Sequence, residues 1–206
     1  MAVIIFDMDG TIADSFDYVL GFLIKQGGLL PLADKDKSKL RNLSMIGMAR
    51  RLGFRRWQML YLFIKGRRLM SRSIENVQPF SGLTEIIRKL HAEGHELFII
   101  SSNSSRNVNH FLRHYDLSQY FIKVYGGVGW FGKAPALRRL LKEQNLDIKQ
   151  SVYIGDELRD VEAAQSVGMR VVAVSWGFAS RSNLVDLKPT AIADTPDELM
   201  KILEEI

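Results

Sequence analysis

Two carboxylates, Asp7 and Asp9, stand two positions apart directly after the apolar run Val3–Phe6. The run is typical of a buried strand, and burying an ionised carboxylate without a partner costs several kcal/mol or more. A cation is therefore expected beside the pair, and a hard divalent cation such as Mg²⁺ takes oxygen ligands of this kind. Gly10 and Thr11 follow with a tight turn and a hydroxyl. This opening segment is the clearest indication of chemistry in the chain.

More polar residues follow other predicted strands. Ser101–Asn103 follows the strand predicted at Glu96–Ile100, and Asp156 and Asp160 follow the strand predicted at Val152–Ile154. Lys133 precedes the helix that leads into the strand at Val152–Ile154. In open α/β sheets ligands lie outside the carboxyl ends of the strands, so these groups are expected at one edge with Asp7. Carboxylates, hydroxyls and a lysine at one edge indicate phosphoryl transfer through a covalent aspartyl phosphate.

The elements that must position these groups are predicted from apolar periodicity and from the placement of Gly and Pro. Strands are predicted at Val3–Asp7, Glu96–Ile100, Ile122–Tyr125, Val152–Ile154 and Arg170–Val174. Helices are predicted at Phe16–Gln26, over much of Leu40–Met70, and at Leu83–Ala92, Arg106–His114, Ala134–Gln144 and Val161–Val167. A last helix is predicted to start at Pro196, with Thr195 and Glu198 as a capping box. The alternation predicts an α/β fold: a doubly wound (Rossmann-like) parallel sheet with a helical insertion after its first strand.

The composition fits one core of ordinary size plus an inserted module: 206 residues, 47% hydrophobic and 25% charged. The absence of cysteine excludes disulfides, thiolate metal sites and a cysteine nucleophile, and it suits a reducing cytoplasm, where we expect the protein. No signal peptide is expected at Met1–Ala2, and the apolar stretch Met59–Ile64 is too short to span a bilayer.

The net charge of +5 is unevenly distributed. Between Lys35 and Arg72 there are twelve Lys and Arg residues and one acid, Asp36, whereas the rest of the chain is acidic overall. Four aromatic residues are interleaved with these cations: Phe54, Trp57, Tyr61 and Phe63. The pattern indicates a basic module inserted into an acidic one. Basic residues with interleaved aromatic residues are also typical of surfaces that bind RNA or membranes.

Taken in order, the motifs resemble those of the haloacid dehalogenase superfamily, and in particular its phosphatase branch, the phosphoglycolate phosphatases. Asp7–Thr11 is similar to the family's Asp-x-Asp-Gly-Thr motif. Ser101, Lys133 and Gly155–Asp160 follow in the family's order, and Trp176–Phe178 extends the likeness beyond the fifth predicted strand.

The resemblance implies two domains: an α/β catalytic core of residues 1–14 and 80–206, and a helical cap of residues 15–79. In the family such a cap closes over the site and selects the substrate, and closure excludes water from a reactive intermediate. Four arginines are then candidates for contact with an anionic substrate: Arg50, Arg51, Arg55 and Arg56. The alternative is a solvated basic face with the aromatic residues packed in the cap core.

The resemblance also implies a role for each carboxylate. Asp7 would attack phosphorus as the nucleophile, and Asp9 would protonate the leaving alkoxide and then activate the hydrolytic water. Mg²⁺ would be held by the Asp7 side chain, the Asp9 backbone carbonyl and Asp156. Asp160 would support the metal shell directly or through water.

The phosphoryl oxygens of a small phosphorylated metabolite would be bound, by the same resemblance, by hydroxyls and one ammonium. The residues expected to do so are Thr11, Ser101, Ser102 and Lys133. Either serine can supply the hydroxyl of the family's motif after the second predicted strand. The number of residues from that motif to Phe121 favours Ser101, and Ser102 would then donate a backbone N–H. The expected activity is Mg²⁺-dependent hydrolysis of a phosphate monoester.

Two other functions stay open on the sequence. A phosphomutase keeps both aspartates and excludes water, so that the phosphoryl group passes to a sugar instead. A binding protein with vestigial catalysis would use its basic cap on nucleic acid or an anionic surface, but the intact set of catalytic residues argues against it, and no nucleic-acid partner is expected. Asp9 argues against a 2-haloacid dehalogenase, because those enzymes lack the second aspartate and need no metal.

Overall fold

A parallel sheet of six strands forms the centre of the computed structural model, which describes residues 1–41, 43, 45–55, 57–70, 74–129 and 132–205. The strands are β1 (Val3–Phe6), β2 (Glu96–Ile100), β3 (Lys123–Tyr125), β4 (Ser151–Gly155), β5 (Arg170–Val174) and β6 (Ala191–Ala193). Their order across the sheet is β3-β2-β1-β4-β5-β6. This order is that of a doubly wound sheet and confirms the predicted fold class.

The register puts the ends of three strands side by side. Phe6, the last residue of β1, lies opposite Ile99 of β2 and Ile154 of β4. The residues that follow these strands therefore emerge together at one edge, where the strand order reverses. In open α/β sheets this switch point forms a crevice that binds ligands.

Helices fill the connections between the strands. Between β1 and β2 the described residues form α1 (Phe16–Gly27), α2 (Asp34–Arg41), α3 (Met45–Arg51), α4 (Gln58–Met70) and α5 (Leu83–Ala92). The later connections contain α6 (Ser105–His114), α7 (Lys133–Glu143), α8 (Leu158–Val167), α9 (Arg181–Asp186) and α10 (Pro196–Glu205). Single 3₁₀ turns occupy Ile74–Asn76, Ser118–Tyr120 and Ile148–Gln150.

The sheet is buried on both faces because its central strands are apolar on both sides. In β1, Ile4 and Phe6 pack with residues of α5, α6 and α10 on one face. Val3 and Ile5 point the other way and pack with residues of α7, α8 and α9, since successive side chains of a strand alternate between faces. Burial on both faces is what a continuous apolar strand predicts.

The predicted elements agree with the structure to within a few residues, and those predicted for α5, β2 and β5 have the observed bounds. Lys133 is the first residue of α7, so this lysine lies in the helix and not before it. The sequence predicts neither α2 nor β6 nor α9: α2 is almost entirely polar, and β6 and α9, with three and six residues, are too short to show a period.

The predicted cap of α10 forms in part. The Glu198 N–H donates to Thr195 Oγ1 at 3.2 Å, as predicted. The Glu198 carboxylate accepts from the N–H of Asp194 at 2.8 Å, one residue before the position that a capping box uses. One N–H of the first helical turn, that of Glu198, is therefore capped as predicted, whereas the Glu198 carboxylate accepts from a residue before the helix.

The helices between β1 and α5 have an apolar cluster of their own, called here the α1–α4 cluster. Its described buried residues are Phe16, Leu20, Leu23, Leu40, Met48, Ala49, Phe54, Leu62 and Phe178. Phe178 follows β5 and comes from the other end of the chain. The cluster therefore spans the helical segment and one residue of the sheet edge.

Aromatic residues of the basic stretch are not all packed in this cluster. Phe54 is buried, whereas Trp57 and Tyr61 are 74% and 55% exposed. The alternative expectation that these rings fill the core of the helical segment is wrong for Trp57 and Tyr61. The side chain of Phe63 lies outside what the structure describes.

Three of the four candidate arginines, Arg50, Arg51 and Arg55, are exposed. Arg56 lies outside the described residues.

Within the described part of the chain, no helix combines the length and the apolar character that a membrane crossing requires.

Candidate active site

Three buried carboxylates meet at the edge formed by the ends of β1 and β4. Asp7 directly follows β1, Asp156 directly follows β4, and Asp160 lies in the first turn of α8. One oxygen of each lies within 4.8 Å of the others. The structure thus brings together three of the residues that the sequence indicates for metal binding.

Lys133 is the cation at this corner. Its Nζ lies 2.8 Å from Asp7 Oδ2 and also forms an ion pair with Asp160. Burial lowers the pKa of the Lys133 ammonium, but the carboxylates of Asp160 and Asp7 outweigh that effect, so the pKa stands above its ordinary value. The lysine is therefore held in its charged form beside the carboxylates.

One ammonium does not balance three buried carboxylates. Burial raises the pKa of Asp7 to about 7, against the opposing effect of Lys133. Burial and then the neighbouring charges of Glu157, Asp7 and Asp160 raise the pKa of Asp156 well above its ordinary value. A divalent cation would remove this repulsion, and Mg²⁺ prefers oxygen donors of this type. The residues present therefore fit a magnesium ion.

Asp156 is fixed from two sides. The Thr11 hydroxyl donates to its Oδ1 at 3.0 Å, and the backbone N–H of Phe178 donates to its Oδ2 at 2.7 Å. The predicted contact of Thr11 with phosphate stays a prediction, because the hydroxyl of Thr11 is engaged with Asp156. Each oxygen of the Asp156 carboxylate therefore accepts a hydrogen bond from a different segment of the chain.

Two glycines make room for this carboxylate. A Cβ at Gly10 or at Gly177 would lie 2.2 Å from Asp156 Oδ2. Gly10 also has φ of +84°, a conformation that side chains disfavour. The glycine of the first motif is therefore required by both backbone conformation and close approach.

Asp160 is held by three donors. Besides Lys133, the N–H of Glu157 donates to its Oδ2 at 3.0 Å, and the Tyr153 hydroxyl donates to its Oδ1 at 3.3 Å. Gly155 permits the approach, since a Cβ there would lie 2.6 Å from Asp160 Cβ. Asp160 therefore orients Lys133 and packs against the end of β4.

Asp9 comes two residues after Asp7, and its two carboxylate oxygens differ in their hydrogen bonding. The Asn103 side-chain amide donates to Asp9 Oδ2 at 3.1 Å, whereas Oδ1 is buried and has no hydrogen-bond partner in the described part of the chain. Burial raises the pKa of Asp9, against the opposing effects of the Asn103 and Ser15 side chains. A carboxyl with a raised pKa and a free oxygen can hold or release a proton there.

Asn103 is itself positioned by its loop and by α6. Its Oδ1 accepts from the side-chain amide of Asn107 at 2.8 Å and from the N–H of Ser104 at 2.9 Å. Sequence reasoning did not include Asn107, although the spacing of four residues would place it one helical turn beyond Asn103.

Both candidate serines are buried next to this asparagine. Ser101 Oγ accepts from the N–H of Asn103 at 3.0 Å, and the Arg159 guanidinium donates to Ser102 Oγ at 3.5 Å. The choice between the two hydroxyls as phosphate ligand stays a prediction. Their loop starts at the end of β2, on the side of β1 away from Asp156.

A second ion pair, Glu157 with Arg159, stands behind the serine loop and is mostly buried. The motif Gly155–Asp160 assigns no role to either residue. Opposite charges two residues apart at a predicted helix start were the available signal. The guanidinium adds a second positive charge near the carboxylates, where it lowers the pKa values of Asp7 and Asp9 against burial.

Comparison with known proteins finds relatives along the whole chain. A model of the haloacid dehalogenase-like hydrolase family matches residues 4–174. A phosphoglycolate phosphatase of Synechococcus elongatus is 34% identical over 209 aligned positions, which cover 100% of this chain and 99% of that protein.

Solved structures share the architecture at lower identity. A predicted phosphatase of Clostridium acetobutylicum has a TM-score of 0.82 at 19% identity and covers 100% of this chain and 99% of its own. A haloacid dehalogenase-like hydrolase of Streptococcus pneumoniae has a TM-score of 0.79 at 20% identity, with 98% of each chain covered. At such identities these two structures establish the fold.

Proposed function

Because the chain belongs to the haloacid dehalogenase-like hydrolases and is a phosphatase of that family, we propose that it hydrolyses a small phosphorylated metabolite with Asp7 as nucleophile and Mg²⁺ as cofactor. The first substrate to test is 2-phosphoglycolate, since the relative that is 34% identical over the full chain is a phosphoglycolate phosphatase.

The observation that carries the proposal is the packing of Asp7, Asp156 and Asp160 within 4.8 Å beside Lys133. An ordinary solvated turn would not bury three carboxylates around one lysine, because each buried charge needs a partner. When bound, Mg²⁺ supplies positive charge to the phosphoryl oxygens and to the nucleophile. Asp7, the Asp9 backbone carbonyl and Asp156 would hold it, with Asp160 in support.

Asp7 would perform the first displacement. Its carboxylate attacks phosphorus, a P–O bond to Asp7 forms, and the bond to the leaving alkoxide breaks. Lys133 Nζ keeps the carboxylate oriented, and Asp9 gives its proton to the leaving oxygen. The raised pKa of Asp9 and its buried, unpartnered Oδ1 support that assignment.

Asp9 would also serve the second displacement. Having lost its proton, it accepts one from a water that attacks the phosphorus of the aspartyl phosphate. The bond to Asp7 breaks, inorganic phosphate leaves, and both aspartates return to their starting forms. Lys133 and the hydroxyls of Ser101 and Ser102 would bind the phosphoryl oxygens as charge spreads over them.

We further propose that residues 15–79 form the cap over a core of residues 1–14 and 80–206. All the described buried residues of the α1–α4 cluster except Phe178 lie in this segment, so its apolar interior is largely separate from that of the sheet. Its two connections lie side by side, with the N–H of Asp14 donating to the Gln78 carbonyl at 2.8 Å and a bridge between Ala13 and Pro79. Such paired connections suit a segment that closes over the site and excludes water.

The test is phosphate release by the purified protein from 2-phosphoglycolate and a panel of other phosphomonoesters, with Mg²⁺ or with a chelator. We expect release only with Mg²⁺, and a loss of about 10⁴-fold or more in Asp7→Asn. Asp186→Asn, a change at an exposed aspartate of α9, is the matched control and should act as the wild type.

Failure to release phosphate from any substrate of the panel would contradict the proposal. Transfer of the phosphoryl group to a sugar, without release to water, would instead identify a phosphomutase. Release that persists in the chelator or in Asp7→Asn would contradict the roles assigned to the metal and to Asp7.

A further inference from the structure

Phe178 contacts both the metal-site carboxylate Asp156 and the α1–α4 cluster. Its backbone N–H donates to Asp156 Oδ2 at 2.7 Å. Its ring is 1% exposed and belongs to the α1–α4 cluster, where its centroid lies 5.7 Å from that of Phe16 in α1. One residue therefore joins a carboxylate of the site to the first helix of the helical segment.

The origin of Phe178 sets it apart within that cluster. The other described buried members come from residues 16–62, whereas Phe178 follows β5. Two residues earlier, the Trp176 indole N–H donates to the Thr11 carbonyl at 3.1 Å, and its ring lies 6.2 Å from that of Phe80. The segment after β5 thus lies against both ends of the connection between β1 and α5.

The Phe178 ring and the Asp156 carboxylate are both tightly packed against Gly10. A Cβ at Gly10 would lie 2.6 Å from Phe178 Cδ2 and 2.2 Å from Asp156 Oδ2, so both groups press against the same glycine. A Cβ at Gly177 would lie 2.4 Å from the Gly10 carbonyl oxygen. Because close-packed interiors transmit displacement, a shift of the ring is expected to move the N–H beside it.

We propose that Phe178 is a positioning residue, whose ring couples the packing of α1 to the orientation of the Asp156 carboxylate. The inference rests on the proposed function, in which Asp156 is a ligand of Mg²⁺. When α1 holds the ring against Phe16, the Phe178 N–H fixes Asp156 Oδ2. When the ring loses that support, the hydrogen bond weakens and the carboxylate loses one of its two described donors.

The coupling predicts that the metal site responds to a change in an apolar residue that touches no metal. Donors that orient a metal ligand typically cost 10–100-fold in metal affinity when they are lost. We therefore expect Phe178→Ala to weaken Mg²⁺ binding by about tenfold or more. Phe16→Ala, which removes the support and leaves the backbone at 178 unchanged, should weaken it in the same direction.

The experiment measures the Mg²⁺ dissociation constant by calorimetry, and the unfolding temperature with and without Mg²⁺, so that no turnover is needed. Leu23→Ala is the matched control, because Leu23 is buried in the same cluster and lies two turns along α1 from Phe16. A purely structural role predicts equal effects in Phe178→Ala and Leu23→Ala. The proposed coupling predicts weakened Mg²⁺ binding only in the variants of Phe178 and Phe16.

The double variant Phe16→Ala/Phe178→Ala sharpens the test. Both residues act on one hydrogen bond, so the loss of Mg²⁺ affinity in the double variant should not exceed that of Phe178→Ala by more than about twofold. If Phe178→Ala does not fold, Phe178→Leu retains most of the apolar volume and is expected to weaken Mg²⁺ binding by a smaller factor in the same direction.

Mg²⁺ binding of wild-type strength in the variants of Phe178 would overturn the coupling, and so would equal weakening in Leu23→Ala. The failure of the proposed function has a different signature. In that case the wild-type protein itself would bind no Mg²⁺ or release no phosphate, whatever the variants do.

Discussion

The α/β core and the helices α1–α4 differ in where they hold their charge. The core buries Asp7, Asp156 and Asp160 together with Lys133, whereas arginines of the helical stretch, such as Arg50 and Arg55, are exposed. Charge in the core is therefore fixed by partners and strongly coupled, while charge on the helices is screened by solvent. We expect core substitutions to change chemistry and substitutions of the helical cations to change mainly substrate capture.

After the nucleophile Asp7, the largest effect in this comparison is expected at Asp9. Asp9→Asn removes the proton donor of the first displacement and the base of the second, and each such role contributes about 10²–10⁴-fold. Single-turnover kinetics should show slow phosphorylation of Asp7 for an alkyl phosphate, with a smaller defect for an aryl phosphate whose leaving group needs no proton. An equal defect for both substrates would contradict the assignment of Asp9 as the acid.

The next effect is expected at Lys133. Lys133→Met removes the buried ammonium beside Asp7 and Asp160, and we expect kcat to fall by about 10²–10³-fold, as for the loss of one group that stabilises transition-state charge. The metal-free variant should also unfold at a lower temperature at neutral pH, because carboxylates are left without their cation. Arg138→Ala, at an exposed arginine of the same helix that donates to the Ser166 carbonyl, is the control and should behave as the wild type.

A smaller effect is expected in the pH dependence of stability without metal. Burial raises the pKa of Asp7 from 3.8 to about 7, so the folded protein binds more protons than the unfolded chain between these values. The free energy of unfolding should then fall as pH rises from about 4 to 7. Asp7→Asn cannot bind this proton, so its stability in chelator lacks this dependence on pH. The unfolding temperature of Asp7→Asn minus that of the wild type should therefore rise by several degrees between about pH 4 and 7.

The pH test separates Asp7 from the other titrating groups, because only the difference between the two proteins is used. Saturating Mg²⁺ should reduce the fall in the wild type, since the ion stabilises the ionised carboxylates. A difference between wild type and Asp7→Asn that is independent of pH would contradict the electrostatic account of this corner.

The smallest effects are expected on the helical segment. Arg50→Ala, Arg51→Ala and Arg55→Ala each remove one exposed charge, and an exposed pair or contact contributes at most about 1 kcal/mol. We expect KM to change by less than about fivefold and kcat to stay constant, with a weaker effect at high salt. A 100-fold loss of kcat in any of these variants would show that the arginine acts in the reaction site. It would contradict the division between core charges that act on chemistry and helical charges that act on substrate capture.

The sheet and the meeting of Asp7 with Asp156 could be predicted because they depend on strong local signals. Apolar strands such as Val3–Phe6 have few alternative structures, and polar residues after parallel strands must emerge at one edge. The residue that each strand delivers to the edge then follows from the position where its apolar run stops.

The supporting contacts could not be predicted in the same way. Asn103 meets Asp9, Arg159 meets Ser102, and the Phe178 N–H meets Asp156, each across a distance in sequence that only the folded sheet closes. No periodicity encodes such pairs, because each depends on side-chain direction at a loop. Trp57 and Tyr61 were uncertain for the opposite reason: an aromatic residue fits a buried or an exposed helix face, and only packing decides between them.

The most direct test of the account is a crystal structure of the protein with Mg²⁺ and a trifluoroberyllate mimic of the phosphoryl group. We predict that Mg²⁺ is bound by Asp7 and Asp156, that the mimic is attached to Asp7, and that Lys133 and the Ser101–Ser102 loop contact its fluorines. A magnesium ion bound away from Asp156, or a mimic attached to another residue, would contradict the central claim that these carboxylates form one metal-dependent phosphoryl-transfer site.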